Sequence, residues 1–220
     1  GDLALAQDFV DMVWPMVWQV ADDDQFVSEV QAMRKRVISL LAPKEADREI
    51  KLGAGGLRDV EFSVQLLQLV HGRNDERLRL RGTFEALDAL VTYGYVGRSD
   101  GFDLATAYKL QRVLEHRIQL HKLRRTHLMP ADEVNQRWLA RSIGLPDTHE
   151  LMHLWRSSTR RVLVLHQRLF YSPLLEAVAR IPSAAVRLTS EDAETRLKAL
   201  GYGDPRAALR HLEALTTGMS

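Results

Sequence analysis

A chain of 220 residues with 45% hydrophobic and 27% charged side chains carries enough apolar content to bury a core, which excludes a disordered or low-complexity polypeptide. Its 30 Lys and Arg balance 29 Asp and Glu to a formal charge of +1, so a wholesale basic footprint for nucleic acid or an anionic membrane is excluded and any anion site must be local. There is no cysteine, no apolar run near the ~20 residues of a membrane span and no signal peptide, so disulfides and thiolate metal sites are out and a soluble, cytoplasmic protein is expected.

Apolar residues recur at spacings of three and four through most of the length, and alternating strand patterns are nearly absent, which predicts an all-α fold, a helical bundle. The predicted helices run over 3–20, with Pro15 as a kink, then 23–42, 57–71, 82–93, 99–125, 131–143 and 147–179, followed by two short ones near 190–200 and 204–216. Ile181-Pro182-Ser183 is the best internal boundary, dividing a helical bundle domain over 1–180 from a small helical hairpin over 183–220 that is possibly the start of a next segment. A start at Gly1 and a stop just past a helix give the chain the look of a piece of something longer. Arg48-Glu49-Ile50-Lys51-Leu52 alternates in the strand manner, and two readings stand open for it: an extended loop, or a short strand whose partners lie outside this chain.

That segment runs into Gly53-Ala54-Gly55-Gly56, which no helix interior tolerates, and then into a helix beginning at Leu57. Arg58, Glu61, Gln65 and Gln68 fall on one narrow polar stripe of this helix, while the rest is mostly Leu, Val and Phe. A helix apolar over most of its circumference is packed on several sides, so the stripe faces either a thin strip of solvent or a polar cleft. Free amides at Gly55 and Gly56 before a helix, with Lys51 and Arg58 alongside, suit an anionic oxygen such as a phosphate. The plainer reading is that the glycines supply a turn and that Asp59 sits in the first turn to oppose the helix dipole. Neither a dinucleotide fingerprint nor a Walker A spacing is present.

A second polar face follows at Arg112, Glu115, Gln119 and Lys122, within a run rich in arginine that includes Arg117, Arg124 and Arg125. It suits pairing with the first stripe, contact with an acidic or phosphorylated partner, or plain solvation. His116 and His121 stand five apart, unlike the i,i+4 pair of a zinc protease, and no metal site is expected. Asp22-Asp23-Asp24 reads as a helix start. Trp14, Trp18, Trp138 and Trp155 sit on apolar helical periods and are expected in the core.

The stretch from Ile50 through Phe62, with Lys51, Gly53, Gly55, Gly56, Leu57, Arg58, Asp59 and Glu61, resembles the motif of the glutamine synthetase adenylyltransferase family, bifunctional enzymes that attach AMP to a glutamine synthetase tyrosine and remove it. The resemblance extends through Gln65 and Gln68, the Arg112-Leu114-Glu115-His116-Arg117 helix, Arg124-Arg125-Thr126-His127, Leu169-Phe170-Tyr171 and Ala199-Leu200-Gly201-Tyr202, essentially the whole chain. With 24 Arg against 6 Lys, the pattern is similar to the actinobacterial branch. The sister PII uridylyltransferases usually carry histidine where this chain has Glu61, so Glu61-Phe62 favours the glutamine synthetase enzymes.

The resemblance implies a helical domain following the N-terminal nucleotidyltransferase unit, the unit associated with removing AMP by phosphorolysis. It implies Mg²⁺ and ATP or phosphate for the parent enzyme, held by a Gly-Ser and Asp-x-Asp signature that this chain lacks, so the fragment is expected to bind no cofactor and to be inactive alone. One role is expected from it, with a second as the alternative. In the first, the domain completes the active site of the upstream nucleotidyltransferase domain: Lys51, Gly55, Gly56 and Arg58 approach nucleotide or phosphate, and Asp59 and Glu61 orient the arginine or a substrate group. In the second, it docks glutamine synthetase or a PII signalling protein through Arg112, Glu115, Arg117, Arg124 and Arg125.

Overall fold

The structure is a computed structural model that describes residues 2–23, 25–121, 123, 126–171 and 204–207. Among these it is all-α. The predicted periodicity resolves into helices α1 (Leu3–Gln19), α2 (Phe26–Ser39), α3 (Leu57–Gly72), α4 (Thr83–Thr92), α5 (Arg98–His121), α6 (Glu133–Ser142) and α7 (Thr148–Phe170). Short polar side chains start several of them. Asp2 accepts from the amides of Ala4 and Leu5, Asp132 from Asn135, and Asp147 from Glu150, each satisfying donors that the first turn leaves open. Pro15 does not end α1, which continues past it to Gln19. Helix α4 closes at Gly94, whose φ of +80° lets the amide of Tyr95 reach back to the Leu90 carbonyl.

Helix α3 is the hub. Ten of its sixteen residues are buried, and it packs against α4, α5 and α7. Its apolar residues Leu57, Val60, Val64, Leu67 and Val70 join Leu104, Leu114 and Ile118 from α5 and Leu151, Trp155, Val162 and Leu165 from α7 in one core. Each such side chain contributes roughly 1.5–3 kcal/mol by leaving water, so the α3–α5–α7 stack contributes a large share of the stability. Trp18 and Trp155 are buried as expected; Trp14 and Trp138 are only half-buried, Trp14 lying edge-on to Trp18 and Trp138 stacked on the His121 ring.

Three features depart from expectation. The 48–52 segment is extended and its partner lies within the chain: Glu49 bridges Leu128 antiparallel, the Ile50 amide donates to the His127 carbonyl at 2.8 Å, and the Met129 amide donates to the Arg48 carbonyl at 2.7 Å. Helix α5 is described as ending at His121 rather than 125, and 3₁₀ turns at Val20–Asp22, Ala46–Arg48 and Glu76–Leu78 fill stretches read as loop or helix end. The 181–183 boundary and the helix near 190–200 lie outside the described residues, as do the end of the helix predicted to 179 and most of the one predicted over 204–216.

Candidate functional site

The glycine turn is held from within. The Gly55 amide donates to Asp59 Oδ2 at 2.6 Å, the Gly56 amide to the Gly53 carbonyl, the Leu57 amide to Ile50 and the Arg58 amide to Lys51. The amides of Lys51 and Leu52 donate to the Glu49 carboxylate. An anion cradle there needs free amides at Gly55 and Gly56, and those amides are occupied, so anion contact at this element falls to side chains. Gly55 has a φ of +76°, and a Cβ there would strike the carbonyl oxygen of Thr159 in α7, so the turn and α7 touch backbone to backbone.

Asp59 sits in the first turn of α3, as the plainer reading has it, but orients a different arginine from the one expected. It neither faces solvent nor orients Arg58: it is fully buried and paired with Arg34 of α2, whose Nε lies 2.6 Å from Asp59 Oδ1. Arg34 also donates to the carbonyls of Leu52 and Gly53, so one buried guanidinium braces the turn from α2 while Gln111 of α5 donates to the Gly55 carbonyl. His166 of α7 completes this buried network, its Nδ1 2.9 Å from Ser63 Oγ and 3.0 Å from the Asp59 carbonyl, its Nε2 3.4 Å from Asp59 Oδ1.

Burial depresses the His166 pKa below the ordinary 6.5, and the neighbouring Asp59 carboxylate only partly opposes it. Below pH 6.5 the unfolded chain therefore binds a proton that the folded one resists. The stability tied to this histidine is fully present above about pH 6.5 and declines as the pH falls toward the depressed value. Urea denaturation at pH 7.5 and pH 5.5 should show that loss, and His166→Gln should flatten the slope; an unchanged slope in the variant would refute the assignment.

Outside this core the polar residues form a ribbon along the seam of α3 and α5. Arg58 Nη1 lies 2.9 Å from Glu61 Oε2, and Glu61 Oε1 accepts from the Tyr108 hydroxyl at 3.1 Å. Burial, and less strongly the Glu61 carboxylate, push the Tyr108 pKa above the usual phenol range, so it remains a donor at neutral pH. Four and seven residues along α5, Arg112 and Glu115 continue the same face. Glu115 Oε2 meets Arg112 Nη1 at 2.7 Å, and its Oε1 lies 3.5 Å from Lys51 Nζ and 3.2 Å from His127 Nδ1. Glu61 of the first predicted stripe and Glu115 of the second are thus tied to this seam, through Tyr108 and Lys51 respectively.

The ribbon is layered by charge. The side chains of Lys51, Arg58 and Arg112 are 28%, 38% and 37% exposed, whereas those of Glu61 and Glu115 are 14% and 2% exposed. Cations face outward over carboxylates that hold them from below. An anion arriving from solvent meets the cations first, in partly dehydrated surroundings where charge-assisted hydrogen bonds are stronger than at an open surface.

The remaining candidates separate from the ribbon. Gln65 is exposed, but Gln68 is buried and donates to the carbonyls of Leu78 and Leu80, clasping the loop before α4. Glu115, expected on a partner-binding face, is too buried to touch a partner and acts through Arg112 and Lys51. Arg117 is exposed, and Arg124 and Arg125 lie outside the described residues. The three histidines do not converge: His116 lies beside Arg112, His121 stacks on Trp138 and His127 faces Glu115. Mg²⁺, which the resemblance implies for the parent enzyme, does not fit here. Among the described residues no three His, Asp or Glu lie together as a ligand set, and the buried Asp59 and Glu115 are matched by cations. No described helix is long and apolar enough to cross a membrane.

Comparison with known proteins agrees with the motif. The family described as GlnD PII-uridylyltransferase matches residues 27–170. Over the full chain the sequence is 56% identical to the bifunctional glutamine synthetase adenylyltransferase/adenylyl-removing enzyme of Cutibacterium acnes, 53% to that of Streptomyces coelicolor and 47% to that of Corynebacterium efficiens. In each case all of this chain is covered but only 22% of the relative's length. The full-length likeness is thus to adenylyltransferases, in keeping with glutamate rather than histidine at position 61. On these matches the chain belongs to the GlnD PII-uridylyltransferase family, and within it to the region shared with the bifunctional glutamine synthetase adenylyltransferases of actinobacteria.

Proposed function

We propose that this chain is the helical domain beside the adenylyl-removing nucleotidyltransferase unit of a bifunctional glutamine synthetase adenylyltransferase, and that its α3–α5 ribbon closes that unit's active site. The charge layering of the ribbon carries the reading: three partly exposed cations stand on two shielded carboxylates, an arrangement suited to phosphoryl oxygens.

In phosphorolysis an oxygen of inorganic phosphate attacks the adenylyl phosphorus, the bond to the tyrosine oxygen breaks, and ADP and the free tyrosine result. Charge builds on the oxygens around the transferring phosphorus, where fixed cations lower the barrier most. Arg58 and Arg112 are the candidates to meet those oxygens, with Lys51 beside them, and Glu61 and Glu115 fix their directions before substrate arrives. Such prior orientation spares the reaction the cost of ordering the side chains. Glutamine synthetase is the protein substrate that this reading requires.

The test is phosphate-dependent removal of the adenylyl group from adenylylated glutamine synthetase, compared for the upstream nucleotidyltransferase domain alone, this chain alone and the two mixed. Activity confined to the mixture, or raised at least about tenfold there, is the expected result, in line with the loss of one transition-state contact or more. Full activity from the upstream domain alone would overturn the reading and leave the ribbon a structural feature.

A further inference from the structure

Of the described side chains that touch Glu115, only His127 is of a type that ordinarily exchanges a proton near neutral pH. The fold sets it there. The segment around it is extended, its carbonyl pairs with the Ile50 amide, and alternation along such a segment sends neighbouring side chains to opposite sides. Thr126 and Leu128 line a cleft with Ile118 and Trp138, whereas the His127 ring turns to Glu115 of α5.

That contact distinguishes the two ring nitrogens. Nδ1 lies 3.2 Å from Oε1 of the shielded Glu115 carboxylate. Gln119 Nε2 is at the same 3.2 Å from Nδ1, but of the two neighbours only Glu115 is charged, and the charged acceptor takes the Nδ1 proton. Nε2 has no partner among the described residues and is left to give or take a proton, on a side chain that is 25% exposed. A buried carboxylate that fixes one nitrogen of an imidazole and leaves the other open sets the ring for proton transfer. His116, the other histidine beside the ribbon, is set differently. Its Nε2 lies 3.3 Å from Arg112 Nη2, a group that can only donate, so that nitrogen accepts and holds no proton to give.

We infer that His127 is the general acid of adenylyl removal, its Nε2 proton passing to the departing tyrosine oxygen. The inference rests on the reading that the ribbon closes the nucleotidyltransferase site, and it assigns the ribbon a proton as well as its charge. As an oxygen of inorganic phosphate bonds to the adenylyl phosphorus, the bond from phosphorus to the tyrosine oxygen breaks, and its electron pair stays on that oxygen. The His127 proton then completes the phenol, the neutral ring keeps its Nδ1 proton on Glu115, and solvent restores the proton that was given. Lys51 and Arg112 already match Glu115, and the phosphoryl group brings the further negative charge that favours a protonated ring beside them. The acid is thereby loaded by the substrate it serves.

The test compares two adenylylated glutamine synthetases in single-turnover phosphorolysis by the full-length enzyme, one with tyrosine at the modified position and one with difluorotyrosine, a far more acidic phenol. A leaving group that departs readily without a proton gains little from an acid. Relative to the parent enzyme, His127→Gln, whose amide can still donate to Glu115, is expected to slow release about 10²-fold from tyrosine and less than about tenfold from difluorotyrosine. Because both rates come from one preparation of the variant, a loss of folded enzyme cannot produce the difference. Equal losses on the two substrates, or none on either, would overturn the proton donor. Arg58→Ala and Arg112→Ala in the same assay separate this outcome from failure of the ribbon itself. Slow arginine variants beside a normal His127→Gln leave the ribbon standing without its acid, whereas normal turnover in all three removes both.

Discussion

Replacing Arg34 with methionine is expected to destabilise the protein by about 3–5 kcal/mol, because it strands the buried Asp59 carboxylate without its cation. The guanidinium is itself inaccessible and makes three contacts that matter, to Asp59 and to the carbonyls of Leu52 and Gly53, so methionine fills the volume but removes a donor from all three and leaves Asp59 only the Gly55 amide. A second substitution separates charge from shape. In Arg34→Met/Asp59→Asn no buried charge remains, and asparagine can still accept from the Gly55 amide, so part of the lost stability should return. Chemical denaturation of the two variants decides it. A loss below about 1 kcal/mol for Arg34→Met would mean that solvent reaches the pair and that the turn is not braced from α2.

The second large effect is on turnover. Arg58→Ala and Arg112→Ala in the full-length enzyme should each reduce phosphate-dependent adenylyl removal about 10²-fold, the scale of losing one donor to a developing charge, while thermal unfolding moves little because both side chains are more than a third exposed and the buried Glu115 keeps Lys51 beside it. Glu61→Gln should give a smaller loss of the same kind, since Arg58 and Tyr108 would lose their common anchor. If the cations act on the transition state, the loss appears in kcat as well as in kcat/KM; a change confined to KM would place them in ground-state phosphate binding instead. Near-normal turnover in both arginine variants would remove the ribbon from catalysis.

Much of this architecture is legible in the sequence because it rests on periodicity. Leu57, Val60, Val64 and Leu67 announce α3, and Arg58 and Glu61 belong together on simple helical spacing. What escaped notice depends on contacts between elements. Arg34 sits in the run Met33-Arg34-Lys35-Arg36, which reads as a solvated helix face; its placement with the buried Val27 and Gln31, at steps of four and three, is the signal that sets it apart. Asp59 carries every mark of a first-turn acid, and only the packing of α2 against the turn makes it a core residue. Glu115 stands among arginines, and its burial follows from its apolar neighbours Leu114 and Ile118. His166 lies between Leu165 and Phe170 on the inner face of α7, where a histidine must find partners that no local pattern names. The bridge between Glu49 and Leu128 is not legible for a related reason: each side contributes a single pairing, too short to leave an alternating pattern at position 128.

That bridge bears on the order in which the protein is assembled. It joins positions about eighty residues apart, a closure that is entropically unfavourable until α3, α4 and α5 have already shortened the intervening chain. Lys51 and His127, which both lie against Glu115, flank it. A refolding chain is therefore expected to regain its helices before Lys51 and His127 settle on Glu115, so the ribbon is expected among the last parts to order.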